Sequence, residues 1–184
     1  DLVLDLRYNA GGEMECVQLL ADILVPADRQ ESPFAFLQYN DKQSSKNRDL
    51  ILDSQLLQGG ANLNLPKVYI ITSGTTAGAA EMLINCLKPY MTIVLIGQTT
   101  KGEYVATETF INPKYPWALR PVVCEVFNSN GEANYSTGFK PDISINETSY
   151  LQYYLPLGDP NEILLNTALG VIAGAIELPK SQTT

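Results

Sequence analysis

The chain has 184 residues, 45% of them hydrophobic, with 20 acidic and 12 basic side chains and a formal net charge of −8. It contains no histidine, which excludes a Ser-His-Asp triad, a Cys-His pair and an HExxH zinc helix within it. Any general base has to be Asp, Glu, Lys, Tyr or Cys, and the acidic balance argues against a nucleic-acid partner, which calls for a clustered basic surface.

The length fits one ordinary domain, expected over residues 1–178, with 179–184 as a frayed tail. The hydrophobic content is enough for a real core. No apolar stretch reaches the roughly 18 residues needed to span a bilayer. The opening Asp1-Leu-Val-Leu-Asp-Leu6 reads as the middle of a buried strand, so the chain is expected to be a fragment of a longer protein. Cys16, Cys86 and Cys124 are an odd count without a CxxC pair, so neither a disulfide framework nor a zinc site is expected. Cys16 and Cys86 fall in predicted helices among apolar neighbours and read as small buried hydrophobes.

Residues 2–8 are apolar and nearly continuous, as in a strand covered on both faces. Asn9-Ala10-Gly11-Gly12 breaks that run. Val17, Leu20, Ile23 and Leu24 then recur at helical spacing over 13–25, and Pro26 ends the helix. A strand is expected over 34–39 and an exposed loop over 41–49. The pattern of 50–57 fits neither helix nor strand alone. Lys67-Val-Tyr-Ile-Ile-Thr72 is a second buried strand. Ser73-Gly74-Thr75 turns the chain, Thr76 is placed to cap a helix over 77–87, and 91–96 is a third strand. Strand–turn–helix therefore occurs twice and feeds a further strand, the mark of an α/β core with parallel pairing.

After Gly97 the character changes. Residues 103–111 alternate like a half-buried strand, 117–127 form another, and Asn128-Ser129-Asn130-Gly131 is a hairpin-type turn. The last helix is expected over 161–175, with Asp159 as cap, Pro160 at its first position and Glu162 completing a capping box. Tyr8, Tyr115, Trp117 and Tyr135 read as packing aromatics, and Asp5 with Arg7 as a structural pair.

The turn at 72–81 carries the most chemistry. A strand ends, small residues turn sharply and a helix begins, so free N–H groups and the positive end of the helix dipole face outward. That geometry suits an oxyanion hole, although a plain strand-to-helix turn needs the same small residues. Two further stretches stand with it in order: Asp5-Leu6-Arg7-Tyr8-Asn9-Ala10-Gly11-Gly12 before it, and Gly97-Gln98-Thr99-Thr100-Lys101-Gly102-Glu103 after it. Together they resemble the carboxyl-terminal processing (tail-specific) serine protease family, with its D-L-R-x-N-x-G-G turn, T-A-S-A-S-E helix start and G-E-T-T-x-G-K segment. Gly138-Phe139-Lys140-Pro141-Asp142 is similar to the family's G-x-x-P-D element, and Leu157-Gly158-Asp159-Pro160 precedes a matching last helix.

The resemblance implies a crotonase/Clp-protease-like mixed sheet core with flanking helices and a small antiparallel section over 103–127. It implies a serine–lysine dyad, which needs no histidine and no cofactor or metal. It also implies a polypeptide or C-terminal peptide as partner, PDZ and N-terminal parts elsewhere in the parent chain, and a periplasmic, cell-envelope or otherwise extracytoplasmic setting. Carried over residue by residue, it puts Gly78 at the nucleophile and Glu103 at the lysine, 25 residues apart. Gly11 or Gly12 supplies one oxyanion N–H, and Ala79, next to Gly78, supplies the other.

Glycine has no nucleophile, and glutamate is an anion where the mechanism needs an amine. The first expectation is therefore a peptide-binding pseudoprotease. A displaced dyad, Thr76 or Ser73 with Lys101, is the second; the bland readings of those residues are a helix cap and an exposed loop lysine. A structural or assembly domain with a vestigial cleft is the third.

Overall fold

Parallel strands buried on both faces need helices on each side, and this chain supplies them. The computed structural model describes residues 1–149 and 155–179; the expected frayed tail lies outside them except for its first residue. In chain order the elements are β1 (Val3–Asp5), α1 (Met14–Leu24), β2 (Pro33–Tyr39), β3 (Arg48–Ile51), β4 (Lys67–Thr72), α2 (Ala79–Leu87) and β5 (Thr92–Gly97). There follow β6 (Val105–Thr107), β7 (Phe110–Ile111), β8 (Ala118–Leu119), β9 (Val122–Asn128), β10 (Ile143–Ser144) and α3 (Ile163–Ile172).

The first sheet has the order β1-β4-β5-β10 and is wholly parallel. Strand β4 shows why both faces are covered. Val68 and Ile70 pack with Leu83, Leu87 and Leu24 of α2 and α1, while Tyr69 and Ile71 face Leu164 and Ala168 of α3. Burying several such side chains at about 1.5–3 kcal/mol each is the main driving force for this layer. The second sheet, β3-β2-β9-β6, is antiparallel. It is larger than the section expected over 103–127, because β2 and β3 join it. Strands β7 and β8 form a separate two-stranded ribbon. This mixed α/β architecture is the fold class that the strand–turn–helix pattern and the resemblance imply.

Several local expectations are corrected. Helix α2 begins at Ala79 and its N-cap is Gly78, with φ +54° and ψ −116°; a helix cannot run through that conformation. Thr76 is spent elsewhere, as described below. Helix α3 is capped by Glu162, whose carboxylate accepts from the amides of Leu164 (3.2 Å) and Leu165 (3.0 Å). Asp159 instead accepts from Asn161 in the preceding turn. Cys16 is exposed, because the buried stripe of α1 runs through Val17, Ala21 and Leu24, one residue out of phase with it; Cys86 and Cys124 are buried. The expected loop over 41–49 holds a short 3-10 turn and the start of β3, whose one half-buried residue is Leu50. The run 117–127 is divided at Arg120-Pro121, between β8 and β9, and 103–111 divides into β6 and β7. Tyr135 packs inside, between Tyr104 and Phe139, whereas Tyr8, Tyr115 and Trp117 are at least half exposed.

Candidate functional site

Three turns meet at the carboxyl ends of the parallel strands, where open α/β sheets build their sites. The turn after β1 carries Asn9–Gly12, the turn after β4 carries Ser73–Gly78, and the segment after β5 carries Gln98–Glu103. They border a cleft of about 580 Å³ lined by Ala10–Gly12 and Gly78–Ala79 on one side, with Glu103 and the edge strand β6 on the other. Buried Tyr135 closes its inner end, and burial pushes the tyrosine's phenol up from its ordinary value.

Gly78 stands at the centre. A Cβ placed there would lie 3.4 Å from the Gly11 Cα, 3.7 Å from Glu103 Oε2 and 3.8 Å from the Ala10 carbonyl oxygen. The structure thus brings together Gly78 and Glu103, 25 apart in sequence, the two residues for which the resemblance implies the dyad positions. Gly11 has φ +129°, a Cβ there would lie 3.9 Å from the Ala79 nitrogen, and its own amide donates to Asn9 Oδ1 at 3.1 Å. The Ala79 amide opens the first turn of α2, and among the described residues it has no acceptor. Such an amide suits an oxyanion or a peptide carbonyl.

Glu81 organises this corner and was missed as a site residue by motif reading. It is fully buried. Its Oε1 accepts from Thr100 Oγ1 (2.5 Å) and the Gly102 amide (2.7 Å), and its Oε2 from the amides of Glu103 (2.7 Å) and Gly78 (3.2 Å). The Gly78 contact is half of a capping box; the other three clamp the segment after β5 onto the start of α2. The glutamate that ends the T-A-G-A-A-E match was its one signal in the sequence.

The Gly138–Asp142 element locks the same segment from behind. Phe139 donates its amide to Thr100 Oγ1 (2.8 Å), and the Thr100 amide donates to the Phe139 carbonyl (3.2 Å). A Cβ at Gly138 would fall 1.9 Å from the Thr100 carbonyl oxygen, so only glycine permits that approach.

The hydroxyl candidates are engaged elsewhere. Thr76 is fully buried; its Oγ1 donates to the Leu6 carbonyl (2.8 Å) and accepts from the Ser73 amide (2.9 Å), fastening β1 to the turn after β4. Ser73 Oγ accepts from the amides of Tyr8 (3.1 Å) and Thr75 (3.3 Å). Lys101 meets Thr76 through the backbone, its amide donating to the Thr76 carbonyl at 2.9 Å. The Lys101 ammonium is on the surface, 2.6 Å from Glu103 Oε1. That hydrogen bond and ion pair raise the lysine's pKa and hold it charged, the opposite of what a neutral amine base requires. Among the described residues no group of three or more acidic or cysteine side chains is arranged to hold a metal ion.

The Asp5–Arg7 pair expected at the first turn is present at 2.7 Å and is part of something larger. The Arg7 side chain is only 3% exposed and also reaches Glu147 (2.8 Å) and Glu162 (3.2 Å). Tyr8 adds a hydroxyl hydrogen bond to Glu147. The cap of α3 is thereby tied to the strand that leads into the Gly11–Gly12 turn.

A parallel α/β core with a glycine turn facing a helix N-terminus across a cleft is the class of domain that these elements build. A sequence profile of peptidase family S41 matches residues 1–145, and the chain belongs to that family. A protein solved from Bacteroides fragilis NCTC 9343 and assigned as an S41 protease is 52% identical, with a TM-score of 0.92 over 95% of this chain. A lipoprotein from Streptococcus agalactiae superposes with a TM-score of 0.63 at 22% identity over 95% of the chain. The photosystem II D1 C-terminal processing protease does so with 0.55 at 22% identity over 79%. The latter two share the fold. The chain spans 45%, 55% and 34% of those three proteins respectively.

Proposed function

We propose that this domain binds polypeptide in the cleft at Gly78 without serine–lysine chemistry of its own. The observation that carries the reading is the 3.7 Å between Glu103 Oε2 and the Cβ position at Gly78. A side chain at position 78 would stand beside that of residue 103, as a nucleophile must beside its base, yet neither residue present can play its part. Glycine offers no attacking atom, and Glu103 is an acceptor already paired with Lys101.

An extended peptide suits what remains. Strand β6 is the last strand of its sheet, so one edge is unpaired among the described strands, and Val105, Ala106 and Thr107 line the cleft. A free strand edge offers backbone hydrogen bonds to a peptide, and the Ala79 amide offers one more. In the same reading the parent chain carries the PDZ and N-terminal parts that the rest of its relatives' length leaves room for. The setting is extracytoplasmic, which the lipoprotein among the structural neighbours supports.

The displaced-dyad alternative asks Thr76 Oγ1 to leave two buried hydrogen bonds and Lys101 to lose its proton beside a carboxylate. The geometry favours the Gly78–Glu103 assignment over it. The deciding experiment is the double variant Gly78→Ser with Glu103→Lys, assayed on an unfolded reporter protein. Hydrolysis is expected from the pair and from neither single change. Cleavage by the unaltered protein, abolished by Lys101→Ala, would sink the reading.

A further inference from the structure

We propose that the inner end of the cleft is a side-chain pocket in which the Tyr135 hydroxyl receives an uncharged polar side chain of a bound polypeptide, a hydroxyl or an amide on an aliphatic stem. This rests on the peptide-binding reading above and names the chemistry of the ligand. The pocket is the open side of the hydrophobic core. Met82 and Val126 are buried members of that core, Met14, Ala79 and Tyr104 pack against it, and all five line the cleft. Tyr135, only 4% exposed, stands with them and brings one polar atom. A buried tyrosine ordinarily gives its hydroxyl a partner. Among the described residues this hydroxyl has none. The fully enclosed side-chain oxygens without a partner belong to Asp22 and Gln30; the Tyr135 oxygen is unpaired but not enclosed, so the cleft reaches it.

The hydroxyl is also held in place. The Tyr135 ring stacks on Phe139, with centroids 4.6 Å apart and planes at 24°, and meets Tyr104 edge-on at 6.2 Å and 78°. Its amide donates to the Ala133 carbonyl (3.0 Å), and its carbonyl accepts from the Gly138 amide (2.8 Å). A fixed polar group among apolar walls is how a pocket sets specificity. Glu81 does not compete for the hydroxyl, since its carboxylate already accepts from four other donors. Burial first, then Cys86 and Glu81, hold the phenol protonated. The charge that disfavours a phenolate there disfavours a ligand carboxylate too, and any full charge would have to leave water for apolar walls. An aliphatic side chain suits the walls but strands the hydroxyl. A hydroxyl or amide meets it as donor or acceptor, and a site with a buried polar group discriminates against ligands that leave it unpaired.

The test is calorimetric titration of the protein with ten-residue peptides of one host sequence that differ only at the fifth position. Two pairs match in shape and differ in polarity: threonine against valine for a shallow seat, and glutamine against norleucine for a deep one. At least one pair is expected to favour its polar member about tenfold. Glutamate and lysine peptides should bind more weakly than that favoured member. In Y135F, which keeps the ring and removes the hydroxyl, the preference should fall below about threefold. Y135F gives up no internal hydrogen bond, so it should melt within about 2 °C of the parent protein. Equal binding within both pairs, tightest binding of a charged peptide, a preference that survives in Y135F, or a Y135F melting point more than about 5 °C lower would overturn this inference alone. Absence of binding by every peptide would overturn the peptide-binding reading and this inference with it.

Discussion

Glu81 and Glu103 are joined by a 2.7 Å hydrogen bond from the Glu103 amide to the Glu81 carboxylate, and the same oxygen accepts from Gly78. One buried side chain thus fixes the separation of the two positions at the centre of the cleft. Replacing it by alanine leaves the amides of Gly78, Gly102 and Glu103 and the hydroxyl of Thr100 without their acceptor. Unpaired buried groups cost about 1–3 kcal/mol each, though partial rescue by water keeps such sums below additivity. Glu81→Ala is therefore expected to lose about 3–5 kcal/mol of unfolding free energy. Glu81→Gln should lose less, about 2 kcal/mol, because its amide turns one oxygen site into a donor facing donors. Urea unfolding measures both. A loss under about 0.5 kcal/mol for the alanine variant, the level of an ordinary surface change, would mean that the clamp does not hold the segment.

Arg7 is the second fastening. Its guanidinium, 3% exposed, is shared by Asp5, Glu147 and Glu162. Burial works against its charge, but the carboxylates of Asp5, Glu162 and Glu147 together outweigh that and hold its pKa above the ordinary arginine value. Removing one partner of a buried ionic cluster strands the others, typically for about 3–5 kcal/mol. Arg7→Ala is expected to unfold in that range below the parent protein. Arg7→Lys should recover only part of the difference, since a single ammonium cannot fork across three carboxylates. Full recovery by lysine would show that the charge matters and the fork does not.

Much of the fold is legible in the sequence because it follows from periodicity. Lys67–Thr72 is apolar on both faces, and the stripe of α1 keeps helical spacing, so both elements appear where the pattern puts them. The Gly78–Glu103 juxtaposition is legible through motif order, which carries contacts that periodicity does not. The Glu81 clamp is not legible, because three of its partners lie 19, 21 and 22 residues away and its four donors are three backbone amides and one threonine hydroxyl. The caps are hidden for a related reason. Thr76 has the chemistry of a cap, but a carbonyl from residue 6 claims its hydroxyl. The exposed aromatics at 115 and 117 sit on a two-stranded ribbon too small to have a core of its own, and composition alone does not distinguish such a ribbon from a packed strand.

The stability of the domain should depend on pH through Asp22. This residue of α1 is fully buried, and among the described residues neither carboxylate oxygen has a hydrogen-bond partner. Burial, with smaller contributions from the charges of Asp53 and Glu31, raises its pKa to about 6 from the ordinary 3.8. A carboxyl raised in the folded state binds its proton more tightly there than when unfolded. Its contribution to stability is therefore most favourable at low pH and is lost as pH rises from about 4 through about 6. Asp22→Asn removes the ionisable group while keeping the shape. The variant is expected to be about 1–2 kcal/mol more stable than the parent at pH 7.5, with the gap narrowing steadily towards pH 4. Denaturant unfolding of both proteins across that range isolates Asp22 from the other carboxylates. A difference that does not change with pH would show that Asp22 keeps an ordinary pKa.

Gly78 separates two accounts of its own corner by the sign of one measurement. If the residue were the first of a regular helix, alanine there would stabilise the protein by about 0.5–1 kcal/mol through helix propensity and a less flexible unfolded chain. In the structure it lies outside the helix at φ +54° and ψ −116°, where an L-residue is strained by about 1–3 kcal/mol. The space itself is adequate, since the nearest contact to an added Cβ is 3.4 Å; the cost is in the backbone. Gly78→Ala is therefore expected to destabilise by about 1–2 kcal/mol. Gly78→Ser should lose a similar amount and stay folded, as it must for the double variant with Glu103→Lys to report on hydrolysis. Melting both variants beside the parent protein decides it, and a stabilised Gly78→Ala would place residue 78 inside the helix, with its Cβ direction turned away from Glu103.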